Sequence, residues 1–352
     1  MMRIGLLTGG GDAPGLNAVI PAVTKSLIRQ CGAEVLGIED GYLGLIERRV
    51  RALDWRAVSG ITALGGTLLG TTNRASPLSY EGRDLRDEVR AYARELGLAG
   101  LVAIGGDGTM AIASALHQHG LPTIGVPKTI DNDILRVERS FGFDTAVATV
   151  AEAIDRLQTT GQSHGRVMLV ETMGRHAGWL ALEAGIAGAA DVILLPEIPY
   201  EVEAVAAVCR ERELRQRFTV ICVAEGAAAR GQAATERGRV EGAPDPVRLG
   251  GVAHVLREQL QPMLRSEVRA TVLGHVQRGG GPTANDRVLA THYGSAAADL
   301  VREGAWGRMV TLEQGRIGSA ALDEVAHGSR RVPPDHPLLQ CARRIGVSFG
   351  EA

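Results

Sequence analysis

Short apolar runs rich in Val, Ile and Leu recur along the chain, several of them ending in a polar or glycine-rich cluster. The runs "RIGLLTGG", "AEVLGIED", "LVAIGGDG", "PTIGVPKT", "RVMLVETMG", "DVILLPEI", "FTVICVAEG" and "ATVLGHVQ" read as strands. Between several of them lie amphipathic segments with helical spacing, such as "NAVIPAVTKSLIRQ" and "DTAVATVAEAIDRLQ". Strand–helix alternation predicts βαβ units with right-handed crossovers. Ligands of such sheets sit at the carboxyl ends of the strands, so the polar clusters there become the search area.

Composition narrows the class. At 352 residues the chain has room for two ordinary domains or one large α/β unit. It is 45% hydrophobic and 22% charged, with only 3% aromatic residues and 46 glycines. An aliphatic core with many tight turns suits parallel sheets covered by helices. A net charge of -2 argues against nucleic acid as the main partner. Cys31, Cys209, Cys222 and Cys341 are far apart and form no CxxC pair, which fits a reducing compartment rather than a disulfide framework or zinc site. The opening "MMRIGLLTGGGDAPG" begins like a buried strand, too short for a membrane span and without a signal-peptide cleavage pattern. The expectation is a soluble cytoplasmic protein with no membrane partner. Residues 226–246 and the proline-rich "HGSRRVPPDHPLL" read as surface loops.

Two strand-to-helix junctions carry glycine clusters. "TGGGDAPGLNAVI" places Gly9, Gly10, Gly11 and Gly15 around a helix start, where bare backbone and free N–H groups favour an anion. No Lys-Ser/Thr follows, so it is not a Walker-type loop, and taken alone it reads equally as a tight turn. "AIGGDGTM" sets Asp107 among Gly105, Gly106 and Gly108, with Thr109 next. A carboxylate in a phosphate-friendly turn is repulsive unless a cation intervenes, and Mg²⁺ shared with substrate phosphates resolves that conflict. "GGTLLGTTNR", at 65–74, is a third glycine-rich element, readable as a nucleotide contact or as a plain loop.

"PKTIDND", residues 127–133, follows a strand. If it runs extended, Asp131 and Asp133 point one way and Asn132 the other, so one carboxylate could take a hydroxyl proton while the other organises metal or water. Thr129 and Lys128 offer a hydroxyl and a charge to phosphate. An Asx-type turn with solvated acids is the plainer alternative. Further on, "ETMGRHAGW" supplies Met173, Gly174 and Arg175, and "RATVLGHVQRGG" supplies Arg269, His275 and Arg278, with Arg166 opening an earlier strand. Arginines gathered at strand ends suggest a substrate bearing its own phosphate, although a surface ion pair is the commoner use of any single one.

"GGGDAPGLNAVI", "GGDGT", "PKTIDND", "ETMGRHAGW" and "LGHVQRGGGPTANDR", in this order, resemble the 6-phosphofructokinase family from residue 3 to about 320. The nearest likeness is to the bacterial group whose phosphoryl donor varies between ATP and pyrophosphate. The resemblance implies two Rossmann-like three-layer domains with mostly parallel sheets. A larger donor-binding domain would span 1–139 plus about 252–305 and a smaller sugar-phosphate domain 140–251, with 306–352 packing back on them. It implies transfer of the ATP γ-phosphoryl group to the 1-hydroxyl of fructose 6-phosphate in glycolysis, with Mg²⁺ as cofactor. On that basis Asp131 is the general base with Thr129, Asp133, Arg175 and Lys128 around it. Asp107 is the metal ligand, and Gly11, Asn73, Arg74, Gly106, Gly108 and Thr109 contact the donor. Thr129, Ile130, Asp131, Arg166, Met173, Gly174, Arg175, Glu225, Arg269, His275, Val276, Gln277 and Arg278 contact the sugar phosphate. Arg166 and Arg269 would reach in from a neighbouring subunit of a homo-oligomer, a tetramer in the family.

Two positions bear on the donor. Pyrophosphate-using relatives carry Asp where this chain has Gly108 and Lys where it has Lys128, whereas well-known ATP enzymes carry Gly at both. The missing acid at 108 favours ATP; the alternative is a reversible pyrophosphate-dependent enzyme. Asn73 and Arg74 depart from the Arg-aromatic pair of the ATP enzymes. Pro21, Trp55 and Gln158 stand where allosteric relatives place effector-binding arginines, so weak or absent control by ADP or phosphoenolpyruvate is expected. A non-catalytic binding regulator on this fold would be expected to lack Asp131 or Asp107. A dehydrogenase reading of the first glycine turn fails, because "GGGDAPG" lacks G-x-G-x-x-G spacing and Asp12 lies inside the turn where pyrophosphate would sit.

Overall fold

Each apolar run contains a strand, and the strands divide between two separate sheets; the last run leaves its strand at Val272 and enters a 3-10 turn over Gly274–Arg278. The computed structural model describes residues 1–215, 218–239 and 247–351. In chain order the strands are β1 (Arg3–Thr8), β2 (Glu34–Ile38), β3 (Val50–Leu53), β4 (Gly100–Gly105), β5 (Thr123–Thr129), β6 (Phe141–Gly142) and β7 (Val167–Thr172). They continue with β8 (Val192–Leu194), β9 (Thr219–Ala224), β10 (Glu236–Arg239), β11 (Val247–Leu249), β12 (Val268–Val272), β13 (Arg308–Glu313) and β14 (Arg316–Ala321). The helices are α1 (Leu16–Cys31), α2 (Tyr42–Ile46), α3 (Arg86–Glu95), α4 (Asp107–Gln118), α5 (Phe143–His164), α6 (Trp179–Ala187) and α7 (Val202–Arg215). After them come α8 (Val252–Leu260), α9 (Ala284–Arg302), α10 (Leu322–Val325) and α11 (Pro337–Arg344).

The first unit takes in Met1–Asp144 and Arg278–Ser329. Its sheet runs β14-β13-β5-β4-β1-β2-β3, with β6 beside β5. The pairs from β13 through β5, β4 and β1 to β2 are parallel, and antiparallel β3 and β14 close the edges. Every residue of β4 and β5 is buried, as expected of central strands covered on both faces. α1 begins at Gly15 (φ 105) and ends at Gly32 (φ 57), both left-handed conformations that glycine adopts without strain. Its residues Ile20, Val23 and Leu27 are fully buried, each contributing about 1.5–3 kcal/mol of burial. α9 crosses it closely at Gly294, where a Cβ would stand 2.7 Å from that of Ala22.

The second unit comprises the described residues of 145–277 and 330–351. Its sheet, β12-β7-β9-β8, is wholly parallel. β7 and β9 are buried throughout, while β12 is an edge with Arg269 and Val272 exposed. Its core gathers Leu169, Val205, Ile221, Val252 and Leu256.

The architecture is the mixed α/β class with mostly parallel sheets that the sequence implies, and the boundaries differ. Residues 252–277, expected with the larger domain, belong to the second unit because β12 pairs with β7. Within 306–352, β13 and β14 extend the first sheet, whereas residues from Arg330 onward join the second unit. The expected loop at 226–246 contains β10, which pairs antiparallel with β11; residues 240–246 lie outside the described ones. Among the described residues no helix is long and apolar enough to cross a membrane.

Candidate active site

In the first unit, β1, β4 and β5 are neighbours, so the segments after their carboxyl ends converge. Gly9 N–H donates to Ile104 O at 2.8 Å, joining the ends of β1 and β4. The third glycine element is strapped to the first: Gly10 N–H donates to Thr72 O at 3.2 Å and Thr71 Oγ1 donates to Gly10 O at 2.6 Å. Asn17, in the first turn of α1, holds the same element through Gly65 O (3.0 Å) and Leu68 N–H (2.7 Å). Asn73 and Arg74, the expected donor contacts, are exposed.

α4 starts at Gly106 without a side-chain cap, and Asp107 is its first residue. Asp107 and Gly108 are exposed, and a Cβ at Gly108 would meet nothing within 4 Å. Thr109 is buried; its carbonyl accepts from the hydroxyl of Tyr42 at 3.0 Å. Tyr42 and Asn17 therefore brace the site, and neither stands out in the sequence, because each looks like an ordinary helix residue.

β5 delivers the acidic stretch. Lys128 is 2% exposed, and its ammonium donates to Gly11 O. Burial, then the Arg278 guanidinium, push it down to about 7 against the pull of Asp12, Asp131 and Asp107. Ile130 is fully buried. The stretch does not run extended: β5 stops at Thr129 and Asn132 is left-handed (φ 53), a conformation Asn tolerates. The Asn132 amide pins that turn, donating to Glu138 O at 3.1 Å and accepting from Ser140 N–H at 2.9 Å. Asp131 N–H donates to Thr129 Oγ1 at 3.0 Å, and Thr129 Oγ1 lies 3.4 Å from Asp131 Oδ2. Burial raises the Asp131 carboxyl, with Asp107 adding to it and Arg278, Thr129 and Lys128 opposing. Asp133 is raised by burial, then by Asp131 and Asp107, while the Ser329 hydroxyl at 3.3 Å offsets part of the shift. Arg278 Nη1 donates to Asp12 O at 3.0 Å, and a Cβ on Gly11 would stand 2.7 Å from it.

Asp107, Asp131 and Asp133 thus load one region with negative charge: Asp107 adds to the raising of Asp131, and Asp131 and Asp107 both add to that of Asp133. No cluster of three or more His, Cys, Asp or Glu side chains fit to enclose a metal occurs among the described residues. The exposed Asp107 carboxylate at the start of α4 would suit Mg²⁺, which takes one or two carboxylates and fills its shell with water and substrate phosphate.

The second unit carries the other expected residues. Gly174 (φ 127) turns the chain after β7, and Gly226 packs against it so tightly that a Cβ there would sit 2.1 Å from Arg175 O. Glu225 N–H donates to Thr172 O at 2.9 Å, placing Glu225 at the end of β9 beside Met173–Arg175. Arg175 Nη2 donates to Val247 O at 2.6 Å. Gln277 is buried; its side chain accepts from Met173 N–H at 3.2 Å and donates to Gly274 O at 2.9 Å. His275 and Val276 beside it are exposed. Arg166 and Arg269 both pair with Glu267, the former at 2.6 Å. Trp179 is buried packing: Nε1–H donates to Arg330 O at 2.7 Å and its ring meets that of His336 edge-on.

Comparison with known proteins gives a consistent answer. The family model described as "Phosphofructokinase" matches residues 3–301. An ATP-dependent 6-phosphofructokinase of Chloroflexus aurantiacus is 48% identical over 99% of this chain and 98% of its own length. A pyrophosphate–fructose 6-phosphate 1-phosphotransferase of Amycolatopsis methanolica is 46% identical over 95% of this chain and 97% of its own. A solved pyrophosphate-dependent phosphofructokinase of Nitrosospira multiformis shares the fold, with TM-score 0.83 at 20% identity, covering 99% of this chain and 92% of that one. With full-length relatives at this identity and the motif-bearing segments assembled at strand ends, the chain belongs to the phosphofructokinase family.

Proposed function

We infer that the protein is an ATP-dependent 6-phosphofructokinase, moving the γ-phosphoryl group of ATP to the 1-hydroxyl of fructose 6-phosphate. The observation that carries this reading is Asp131: a carboxylate whose proton affinity burial raises, beside the Thr129 hydroxyl and under the influence of Asp107, Lys128 and Arg278. A raised affinity matches a group that must accept a hydroxyl proton. In this reading Asp131 takes the proton as the sugar oxygen attacks in line, and Asp133 and Thr129 hold it in place. Lys128 and Arg278 lower the cost of negative charge on the transferring phosphoryl oxygens. The glycine turns at Gly11 and Gly106–Thr109 accept the donor phosphates. Asp107 would hold Mg²⁺, which when bound neutralises phosphate charge. Met173, Gly174, Arg175, Glu225, His275–Gln277 and Arg278 are assigned to the sugar phosphate, and the enzyme to the cytoplasm.

Arg166 and Arg269 are assigned to a neighbouring subunit's substrate in a homotetramer. Within one chain both lean on Glu267, whose carboxyl Arg166 lowers most. Weak or absent effector control is proposed on what replaces the missing cations: Pro21 is buried inside α1, Trp55 is an exposed ring, and Gln158 donates to Gly188 O at 2.5 Å.

Lys128, and the Amycolatopsis relative, favour a second reading with pyrophosphate as donor. Steady-state kinetics on fructose 6-phosphate with each donor separates them. ATP turnover with little from pyrophosphate supports the first reading, and the reverse replaces it.

A further inference from the structure

We propose that Glu171 is a positioning residue for the sugar-phosphate end of the reaction, holding Arg175 in register through the start of α8. The proposal rests on the reading that Arg175 handles the sugar phosphate. Glu171 lies in β7, opposite Val223 of β9 on one side and Val272 of β12 on the other, and is 2% exposed. A carboxylate placed so deep costs several kcal/mol unless it is compensated. Its compensation is backbone: Oε1 accepts from Gly251 N–H at 2.8 Å and Oε2 from Ala253 N–H at 2.9 Å.

Those two amides open α8, whose own N-cap residue, Gly251, has no side chain to cap with. A helix start presents unpaired N–H groups and partial positive charge, so a strand-borne carboxylate serves as its cap. The chain must turn sharply to reach it: Gly250 has φ 131 and Gly251 φ 88, and a Cβ on Gly250 would approach Glu171 Oε1 to 3.3 Å. Immediately before that turn is β11, whose first residue, Val247, gives its carbonyl to Arg175 Nη2 at 2.6 Å. Glu171 and Arg175, from one strand and the turn after it, therefore grip the segment 247–253 at two points. Release of one grip loosens the carbonyl that orients the other. Both contacts lie within the second unit, so donor binding should not register the change.

The test is Glu171→Gln, which keeps the volume but turns an NH₂ toward one of the two N–H donors. KM for fructose 6-phosphate is expected to rise about tenfold, the loss of roughly one buried hydrogen bond, with kcat and KM for ATP within about twofold. A purely structural role would not couple to Arg175. In the double variant with Arg175→Lys the rise in KM is expected to fall short of the product of the single effects. Should Glu171→Gln fail to fold, Glu171→Asp, which keeps the charge and shortens the reach, carries the same comparison. An unchanged KM for fructose 6-phosphate, or effects that multiply independently, overturns the proposal alone. A wild-type enzyme inert toward fructose 6-phosphate with either donor overturns the functional reading and this proposal with it.

Discussion

Lys128 and Arg278 grip consecutive carbonyls of the first glycine loop, the ammonium on Gly11 O and Nη1 on Asp12 O. Gly11 is the point of closest approach: an added Cβ would stand 2.7 Å from Arg278 Nη1 and 3.0 Å from its Cζ. The end of an arginine can move, so folding should survive Gly11→Ala, while the guanidinium cannot keep its place. The expected result is a fall in kcat/KM of about tenfold or more, with thermal stability within about 1 kcal/mol of wild type. Unchanged kinetics would mean that the position of Arg278 does not matter.

Lys128 makes folding stability depend on pH in a way few buried groups do. Its folded value is pushed down from 10.5 to about 7, chiefly by burial. Between those values the unfolded chain holds a proton that the folded chain has released, so stability rises with pH. The slope approaches about 1.4 kcal/mol per pH unit. The buried thiols of Cys209 and Cys222, pushed up to about 12, act in the opposite sense once pH passes 9. The Asp133 carboxyl, raised to about 7, opposes the Lys128 slope in the same window, since the folded chain keeps a proton there that the unfolded chain has lost. Urea unfolding at about pH 7 and 8.5 should therefore show a net gain of about 1 kcal/mol in the wild type and no gain, or a small loss, in Lys128→Met. A gain of equal size in both would assign it to another group.

Gly108 tests the donor. Its Cβ direction is open and it lies in the first turn of α4, so Gly108→Asp should fold normally. A second carboxylate next to Asp107 adds repulsion where the nucleotide's remaining phosphate would lie. The expected outcome is a loss of about a hundredfold in kcat/KM with ATP, near 2.7 kcal/mol, with pyrophosphate turnover gained or retained. Donor kinetics on the purified variant read it directly, and equal loss with both donors would point to general damage at Asp107.

The central strands were legible because they are buried on both faces and their apolar runs are unbroken, as in "LVAIGG" and "VMLVET". The antiparallel edge strands of the first sheet were not, nor was β13 beside one of them. β3 and β14 mix charged and small residues with apolar ones, since an antiparallel edge carries much of its surface toward solvent. β13 has only three buried residues, apolar or polar, between charged ends. The site motifs were legible as glycines and acids at strand ends, but not the groups that hold them. Asn132 stood in the sequence as a spacer between two aspartates. Its left-handed backbone and its bonds to Glu138 and Ser140 are what turn Asp131 and Asp133 off the strand. Asn17, Tyr42 and Ser329 likewise act over 47 to 196 positions, distances no local pattern encodes.

Asp131 should set the acid limb of the rate profile. Burial and Asp107 raise its carboxyl above the ordinary 3.8, so the basic form is lost on acidification earlier than for a solvated aspartate. The limb of kcat/KM should lie correspondingly above the usual carboxylate range, and Asp131→Asn should lower kcat by about two to four orders of magnitude. Arg278 is the strongest influence holding that carboxyl down, so Arg278→Met should move the limb to higher pH, whatever it does to the plateau. Asp133 answers differently: after burial, its affinity is governed by Asp131 and Asp107. A limb that stays in place in Arg278→Met but shifts in Asp107→Asn would transfer the base assignment from Asp131 to Asp133.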